Sequence, residues 1–202
     1  MIARAIRIAT AAAVLAMATA GSVPAESIGP VYDGNGQLLL PKGYETWVFA
    51  GSNLGLAYND SIAAMTALEA ERAGSKLFHN VYIDPASYTA FAKTGEFPDP
   101  TVLVMENYSA EAKDVGGLLN DGVFNGSRIR TEVAVKDSHR PTRPDSLETW
   151  AYYVFPADGS GQPAQAASAF PDAVCHACHK LHAGHDNVWT QFYPLLRRRL
   201  DQ

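Results

Sequence analysis

The sequence is poor in cysteine, has no surplus of basic residues, and contains no long apolar run after residue 25. Only two of its 202 residues are cysteines, which excludes a scaffold held together by many disulfide bonds. The 16 lysines and arginines are outnumbered by 21 aspartates and glutamates, which argues against a nucleic-acid-binding protein. With 47% hydrophobic and 18% charged residues, the composition is that of an ordinary globular domain. We therefore expect no nucleic-acid partner and no membrane span.

The first 25 residues have the pattern of an export signal. Arg4 and Arg7 precede a short apolar run at residues 8–20, and small residues follow up to Ala25. The run is shorter than the roughly 20 residues that cross a bilayer. We therefore predict a signal peptide over residues 1–25, removed on export, and a single mature domain over residues 26–202.

Runs rich in strand-forming residues predict an antiparallel sheet. They lie at residues 46–50, 77–83, 101–107, 129–136 and 148–155. The last run is apolar or aromatic on both faces, which is typical of a strand covered on both sides. Gly and Pro pairs, Asn125-Gly126 among them, predict loops between the runs.

Helices are predicted between and after these strands. Asp84 and Pro85 are typical of a helix start and Gly95 of a helix end, so we expect a short helix over residues 86–94. Residues 61–73 are rich in good helix formers. Residues 171–200 predict two more helices, the second beginning near Asp186. The whole predicts an α+β fold, a mostly antiparallel β-sheet with added helices and with haem-binding helices at its C-terminal end.

Both cysteines lie in a C-x-x-C-H pattern, formed by Cys175, His176, Ala177, Cys178 and His179. Two thiols at this spacing on a helical turn can add to the vinyl groups along one edge of haem. The following histidine can then bind the iron as an axial ligand. We therefore predict one covalent haem c per chain, held by Cys175 and Cys178, with His179 as the metal ligand.

Other sites could use the same residues. The two thiols could form a redox dithiol or a simple disulfide. The cysteines could instead join the nearby histidines in a zinc site, whose ligands would come from Cys175, His176, Cys178, His179, His182 and His185. Elsewhere, His79, His139 and Met105 are more typical of packing or edge positions than of ligands. No sixth ligand is evident, and a five-coordinate iron would bind small molecules.

Several ordered motifs resemble the cytochrome P-460 family. They include residues 76–82, 94–99, 101–106, 135–138 and 150–153, and the haem segment with its continuation to Arg197. The resemblance extends over nearly the whole mature chain from about Tyr44. It implies a mostly antiparallel β fold, a homodimer, and a periplasmic c-type haem with an open distal side.

This family includes two kinds of protein, and the resemblance implies one of two functions. Cytochrome P-460 oxidises hydroxylamine to nitrogen oxides, passes electrons to another c-type cytochrome, and carries an extra bond from a lysine to the porphyrin. Cytochrome c′-β lacks that bond, has an apolar distal cap, and binds nitric oxide and other small gases. Residues such as Phe78 or Phe124 could supply such a cap in this chain.

The resemblance raises the question of which lysine could reach the haem. The candidates are Lys76, Lys93, Lys113 and Lys136, of which Lys113 lies at a separation from His179 that resembles the family's. A solvated lysine beside Glu111 and Asp114 is the alternative for Lys113.

Oxidation of hydroxylamine also needs a proton acceptor, and a carboxylate near the open side of the haem could serve. Glu106, Glu132 and Asp137 are candidates that the sequence does not rank.

Overall fold

The computed structural model describes residues 29–57, 76–118, 121–141 and 149–200. Five long strands form one antiparallel sheet in the order β2-β3-β4-β5-β6, and two short strands pair with each other. The strands are β1 Leu38–Leu39, β2 Val48–Leu54, β3 Leu77–Ile83, β4 Thr101–Lys113, β5 Gly122–Lys136, β6 Trp150–Pro156 and β7 Ala166–Ala167. The predicted α+β fold with a mostly antiparallel sheet is confirmed. The predicted signal peptide and the helix at residues 61–73 lie outside the described residues.

The first described helix, α1, spans Pro85–Thr94 and connects β3 to β4. The Asp84 carboxylate accepts a hydrogen bond from the Ser87 amide at 2.7 Å, and Gly95 ends the helix with a φ of 83°. Phe91 on its inner face is fully buried and stacks on Phe97. The start and the end of this helix are as the sequence predicts.

The β4–β5 hairpin is longer than predicted, and its Asn125-Gly126 pair is not a loop. Both residues lie within β5, where Tyr108 pairs with Arg128 but Ala110 pairs with Asn125. This bulge brings Gly126 so close to the side chains of Ser109 and Glu111 that a Cβ atom at this position would overlap them. The glycine therefore serves a close approach of two strands and not a turn.

Side chains alternate along each strand, so that successive residues lie on opposite faces of the sheet. Other parts of the chain pack against both faces. One face packs Val104, Val133 and Tyr153 against Tyr44 and Trp47 of the N-terminal segment. The opposite face packs a second set of sheet residues against α1 and the C-terminal segment. That set and its partners are Val81, Ile83, Leu103, Trp150, Tyr152, Phe91, Phe97, Val188, Tyr193 and Leu196. We call the second side the C-terminal face.

The C-terminal segment contains α2, His176–His182, a 3₁₀ turn at Thr190–Phe192, and α3, Pro194–Leu200. The predicted helix start near Asp186 is wrong. Asp186 and Asn187 have φ angles of 43° and 61°, whereas a right-handed helix needs about −63°. None of the helices in the described ranges is long and apolar enough to cross a membrane.

On the face away from the C-terminal segment, a buried carboxylate is enclosed by hydrogen-bond donors. Glu106 is 4% exposed and accepts hydrogen bonds from the hydroxyl groups of Tyr44 at 2.8 Å and Tyr108 at 3.2 Å. Its Oε1 also forms an ion pair with Arg128, and its Oε2 accepts a longer bond from Tyr82. Burial raises the pKa of Tyr44 well above its usual range, so its hydroxyl remains a donor.

Replacing Arg128 with Ala should destabilise the fold by about 3 kcal/mol, because it leaves a buried carboxylate without its cationic partner. Chemical unfolding monitored by circular dichroism measures the loss. Lys113→Ala is the matched control, since its ion pair with Glu111 lies at the surface, with Lys113 53% exposed. The control should cost no more than about 0.5 kcal/mol. Equal effects of the two substitutions would contradict the assignment.

Candidate functional site

Cys175, Cys178 and His179 lie at the start of α2. Cys175 is at the N-cap position, and its carbonyl oxygen accepts a hydrogen bond from the His179 amide at 3.1 Å. Both thiols are half-buried and unpaired. Burial raises the pKa of the Cys175 thiol to about 12, with the nearby Glu132 and Cys178 adding to the effect. A thiol that stays protonated is a poor redox nucleophile, so the arrangement does not favour a reactive dithiol.

Hydrogen bonds define the tautomer of His179. Its Nδ1 lies 2.8 Å from the carbonyl oxygen of Asn187, which can only accept, so Nδ1 carries the proton. Its Nε2 accepts a hydrogen bond from the indole N–H of Trp189 at 3.1 Å. Burial lowers the pKa of His179 to about 4, which keeps the ring neutral. A neutral imidazole with its lone pair on Nε2 and a fixed partner on Nδ1 is the form that binds a transition metal.

His179 lines a cavity of about 280 Å³ between the C-terminal face of the sheet and the C-terminal segment. This volume is close to the lower end, about 300 Å³, for clefts that hold cofactors. Its walls are mainly apolar and include Val81, Leu103, Met105, Val188, Trp189 and Phe192. Cys175 also lines the cavity, whereas Cys178 is not among its lining residues.

A group of polar residues also lines this cavity. His79, Arg130 and Glu132 line it, and the Arg130 guanidinium donates through Nε to the Glu132 carboxylate. Asn107 donates to the same carboxylate oxygen at 3.3 Å. Nδ1 of His79 lies 2.8 Å from the amide oxygen of Asn53. Charged and polar side chains thus share the cavity with His179.

Arg130 is 2% exposed, and its Nη1 has no hydrogen-bond partner in the parts of the chain that the structure describes. A buried guanidinium nitrogen without an acceptor is costly, so its presence at the cavity points to a ligand that supplies one. The sequence did not single out Arg130. Its one available signal is that residues 130, 132 and 134 alternate onto a single face of a predicted strand.

The three candidate proton acceptors are separated by the fold. Glu132 lines the cavity, whereas Glu106 lies on the opposite face of the sheet among the tyrosines. Asp137 follows the end of β5, where its carboxylate accepts hydrogen bonds from Tyr32 and the His139 amide. Neither Glu106 nor Asp137 is among the lining residues, so the geometry ranks Glu132 first.

None of the four candidate lysines lines the cavity. Lys113 ends β4 and forms a 3.4 Å ion pair with Glu111. It lies eight residues beyond the cavity-lining Met105 along β4. The structure therefore does not place Lys113 among the residues that line the cavity with Cys175 and His179. Phe78 and Phe124 are also outside the cavity lining.

The alternative of a zinc site finds no support in the geometry. All six cysteines and histidines of that hypothesis lie in the described part of the chain. Across the described residues, no three Cys, His, Asp or Glu side chains converge as a metal site requires.

A family model for cytochrome P460 matches residues 41–190, which is most of the chain. The chain belongs to the cytochrome P460 family. This confirms the resemblance found in the sequence, and membership implies a haem cytochrome. No curated protein matches the chain significantly.

The residues that line the cavity are suited to bind the haem that membership of the family implies. The apolar walls suit a porphyrin, and the neutral Nε2 of His179 suits its iron. The indole N–H of Trp189 now donates a hydrogen bond to that nitrogen, and a bond from Nε2 to the iron would replace this hydrogen bond. The unpartnered Nη1 of Arg130 could donate to a haem carboxylate or to a ligand beside it.

Proposed function

We propose that this cytochrome P460 is a mono-haem c-type cytochrome that oxidises hydroxylamine to nitrogen oxides. The observation that carries the proposal is Glu132, a carboxylate that lines the same cavity as the metal-binding nitrogen of His179. Hydroxylamine must lose protons as well as electrons, and a carboxylate inside the cavity can accept them.

Cys175 and Cys178 would hold the haem through thioether bonds, and His179 would bind its iron. The helical placement of the two cysteines supports this assignment, as does the tautomer of His179. When bound, the haem supplies the electron chemistry of the reaction.

The Cys175→Ser/Cys178→Ser double variant should contain no haem that survives denaturation, because both thioether bonds are lost. Each single variant should keep one bond. A haem-stained denaturing gel and intact-protein mass measure this. His179→Ala should remove the proposed iron ligand and change the visible spectrum, whereas His182→Ala, at an exposed position, should not change the spectrum. Release of all haem from the unaltered protein on denaturation would contradict covalent attachment.

Arg130 and Asn107 orient the proposed proton acceptor. Both donate to the same oxygen of Glu132, which fixes the plane of the carboxylate beside the cavity.

Glu132→Gln should lower hydroxylamine turnover by about 100-fold or more, since the amide keeps the shape of the side chain but cannot take up the proton. Turnover is measured with an artificial electron acceptor, and haem content is measured in the same sample. Glu45→Gln, at an exposed position in a 3₁₀ turn, is the control and should retain full activity. Unchanged turnover in Glu132→Gln would exclude this role.

Binding of nitric oxide or another small gas without turnover is the second candidate function. Two observations favour it: the walls of the cavity are mainly apolar, and no lysine of the described segments lines them. A haem held by the two cysteines alone is the form that the resemblance associates with cytochrome c′-β.

Peptide mass mapping separates the two candidates. The gas-binding candidate predicts a haem joined only to the peptide that contains Cys175 and Cys178, and Lys113→Ala should then leave the ferrous spectrum unchanged. The enzyme candidate predicts a haem peptide joined also to a lysine-bearing peptide, for which Lys113 is the candidate. Binding of nitric oxide with no hydroxylamine turnover would favour the gas-binding candidate.

We also propose that the protein is exported to the periplasm, forms a homodimer, and delivers its electrons to another c-type cytochrome. The arginines and the short apolar run at the start of the sequence support export. The homodimer and the electron acceptor are carried over from the family.

A further inference from the structure

A tight turn precedes the last helical part of the chain and lies beside His179. His185 and Val188 close it with paired backbone hydrogen bonds, and Asp186 and Asn187 occupy its two central positions. Both central residues have positive φ angles, 43° and 61°, as in turns of type I′. Asp and Asn are the non-glycine residues that adopt this conformation at least cost. We call residues 185–188 the Asp186 turn.

The side chain of Asp186 ties this turn to the sheet through both of its oxygens. Oδ2 accepts a hydrogen bond from the Lys136 ammonium at 2.8 Å, and Oδ1 accepts one from the Trp150 indole at 3.1 Å. Lys136 also donates to the Phe97 carbonyl at 2.8 Å. Trp150 is fully buried in β6, and Lys136 ends β5. The turn is thus attached to two neighbouring strands of the sheet.

The next residue of the turn provides the oxygen that fixes His179. The Asn187 carbonyl accepts from Nδ1 of His179 at 2.8 Å and from the Tyr152 hydroxyl at 3.0 Å. The Tyr152 ring also lies against the imidazole, with 4.1 Å between ring centroids. The position of this oxygen depends on the backbone of the turn, because it belongs to the main chain and not to a side chain.

We infer that Asp186, held by Lys136 and Trp150, is a positioning residue for His179, the proposed iron ligand. It aims the Asn187 carbonyl at Nδ1, which strengthens the electron donation of Nε2 to a bound iron. This role rests on the proposed haem at His179 and adds a determinant of its reduction potential. Stronger donation favours ferric iron, so loosening the turn should raise the potential.

If Asp186 and Lys136 acted on the reduction potential only through their charges, the variants would behave differently. Removal of the Asp186 carboxylate by itself would raise the potential, and removal of the Lys136 ammonium by itself would lower it. Variants that leave the net charge unchanged separate the two causes. Trp150→Phe removes the hydrogen bond from the indole to Asp186 without altering the charge. Lys136→Met combined with Asp186→Asn removes one positive and one negative charge.

The test compares these two variants with the unaltered haem protein by redox titration and by the iron–histidine stretching frequency. At a fixed potential, each should lower the ratio of ferric to ferrous protein about tenfold, a rise of about 59 mV for one electron. Each should also lower the stretching frequency. Trp47→Phe is the matched control, because Trp47 is buried on the opposite face and its indole nitrogen has no partner among the described residues. It should leave both readouts unchanged.

Unchanged potential and frequency in the two charge-neutral variants would overturn the inference. Shifts of similar size in Trp47→Phe would do so as well, since they would reflect packing alone. If Trp150→Phe failed to assemble, the double variant would decide, because Lys136 and Asp186 are only partly buried.

Failure of the proposed function would be recognised separately, by an unaltered protein without bound haem. Nitrogen NMR of His179 in that protein would then compare the same variants. Mixing of the two imidazole tautomers in the variants would support the positioning role, and one retained tautomer would overturn it.

Discussion

The hydrogen bond from Nδ1 of His179 to the Asn187 carbonyl determines which nitrogen of the imidazole is available for chemistry. At 2.8 Å and in a buried setting, it commits the proton to Nδ1 and leaves a lone pair on Nε2 inside the cavity. The C-x-x-C-H motif supplies the histidine, but the tautomer comes from a residue eight positions later in the chain. The site therefore depends on a turn that only the folded C-terminal segment can bring into place.

The sheet keeps two carboxylates in different environments although they lie on neighbouring strands. Glu106 is enclosed by Arg128 and three tyrosines on one face, where it stabilises the fold. Glu132 lies on the other face and borders the cavity with Arg130. Their positions follow from the alternation of side chains and from the register that pairs Met105 with Glu132. A one-residue slip in the pairing of β4 and β5 would turn the side chains of the slipped strand to the opposite face. If β5 slipped, the Glu132 carboxylate would leave the cavity.

The elements that were predicted correctly are those whose ends are determined by residues close to them in the sequence. Asp84, Pro85 and Gly95 define α1 by themselves, and the apolar run of β3 coincides with the observed strand. The outer part of the β4–β5 hairpin was missed because it is polar and has little apolar alternation. The Asp186 turn was missed because helical spacing of apolar residues after it suggested a helix start. Arg130 was missed because its burial depends on its pairing with Asn107 of β4, and the sequence does not specify the register of the two strands.

One polar group at the cavity is unfavourable in the protein alone. Nη1 of Arg130 is buried without a partner among the described residues, which costs stability unless a ligand supplies an acceptor. Cys175 and His179 line the same cavity, and their pKa values are shifted toward their neutral forms. A bound haem would offer its iron to Nε2 of His179 and a carboxylate to the Arg130 guanidinium. The orphaned guanidinium nitrogen and the family assignment thus lead to the same conclusion, that this fold is completed by a prosthetic group.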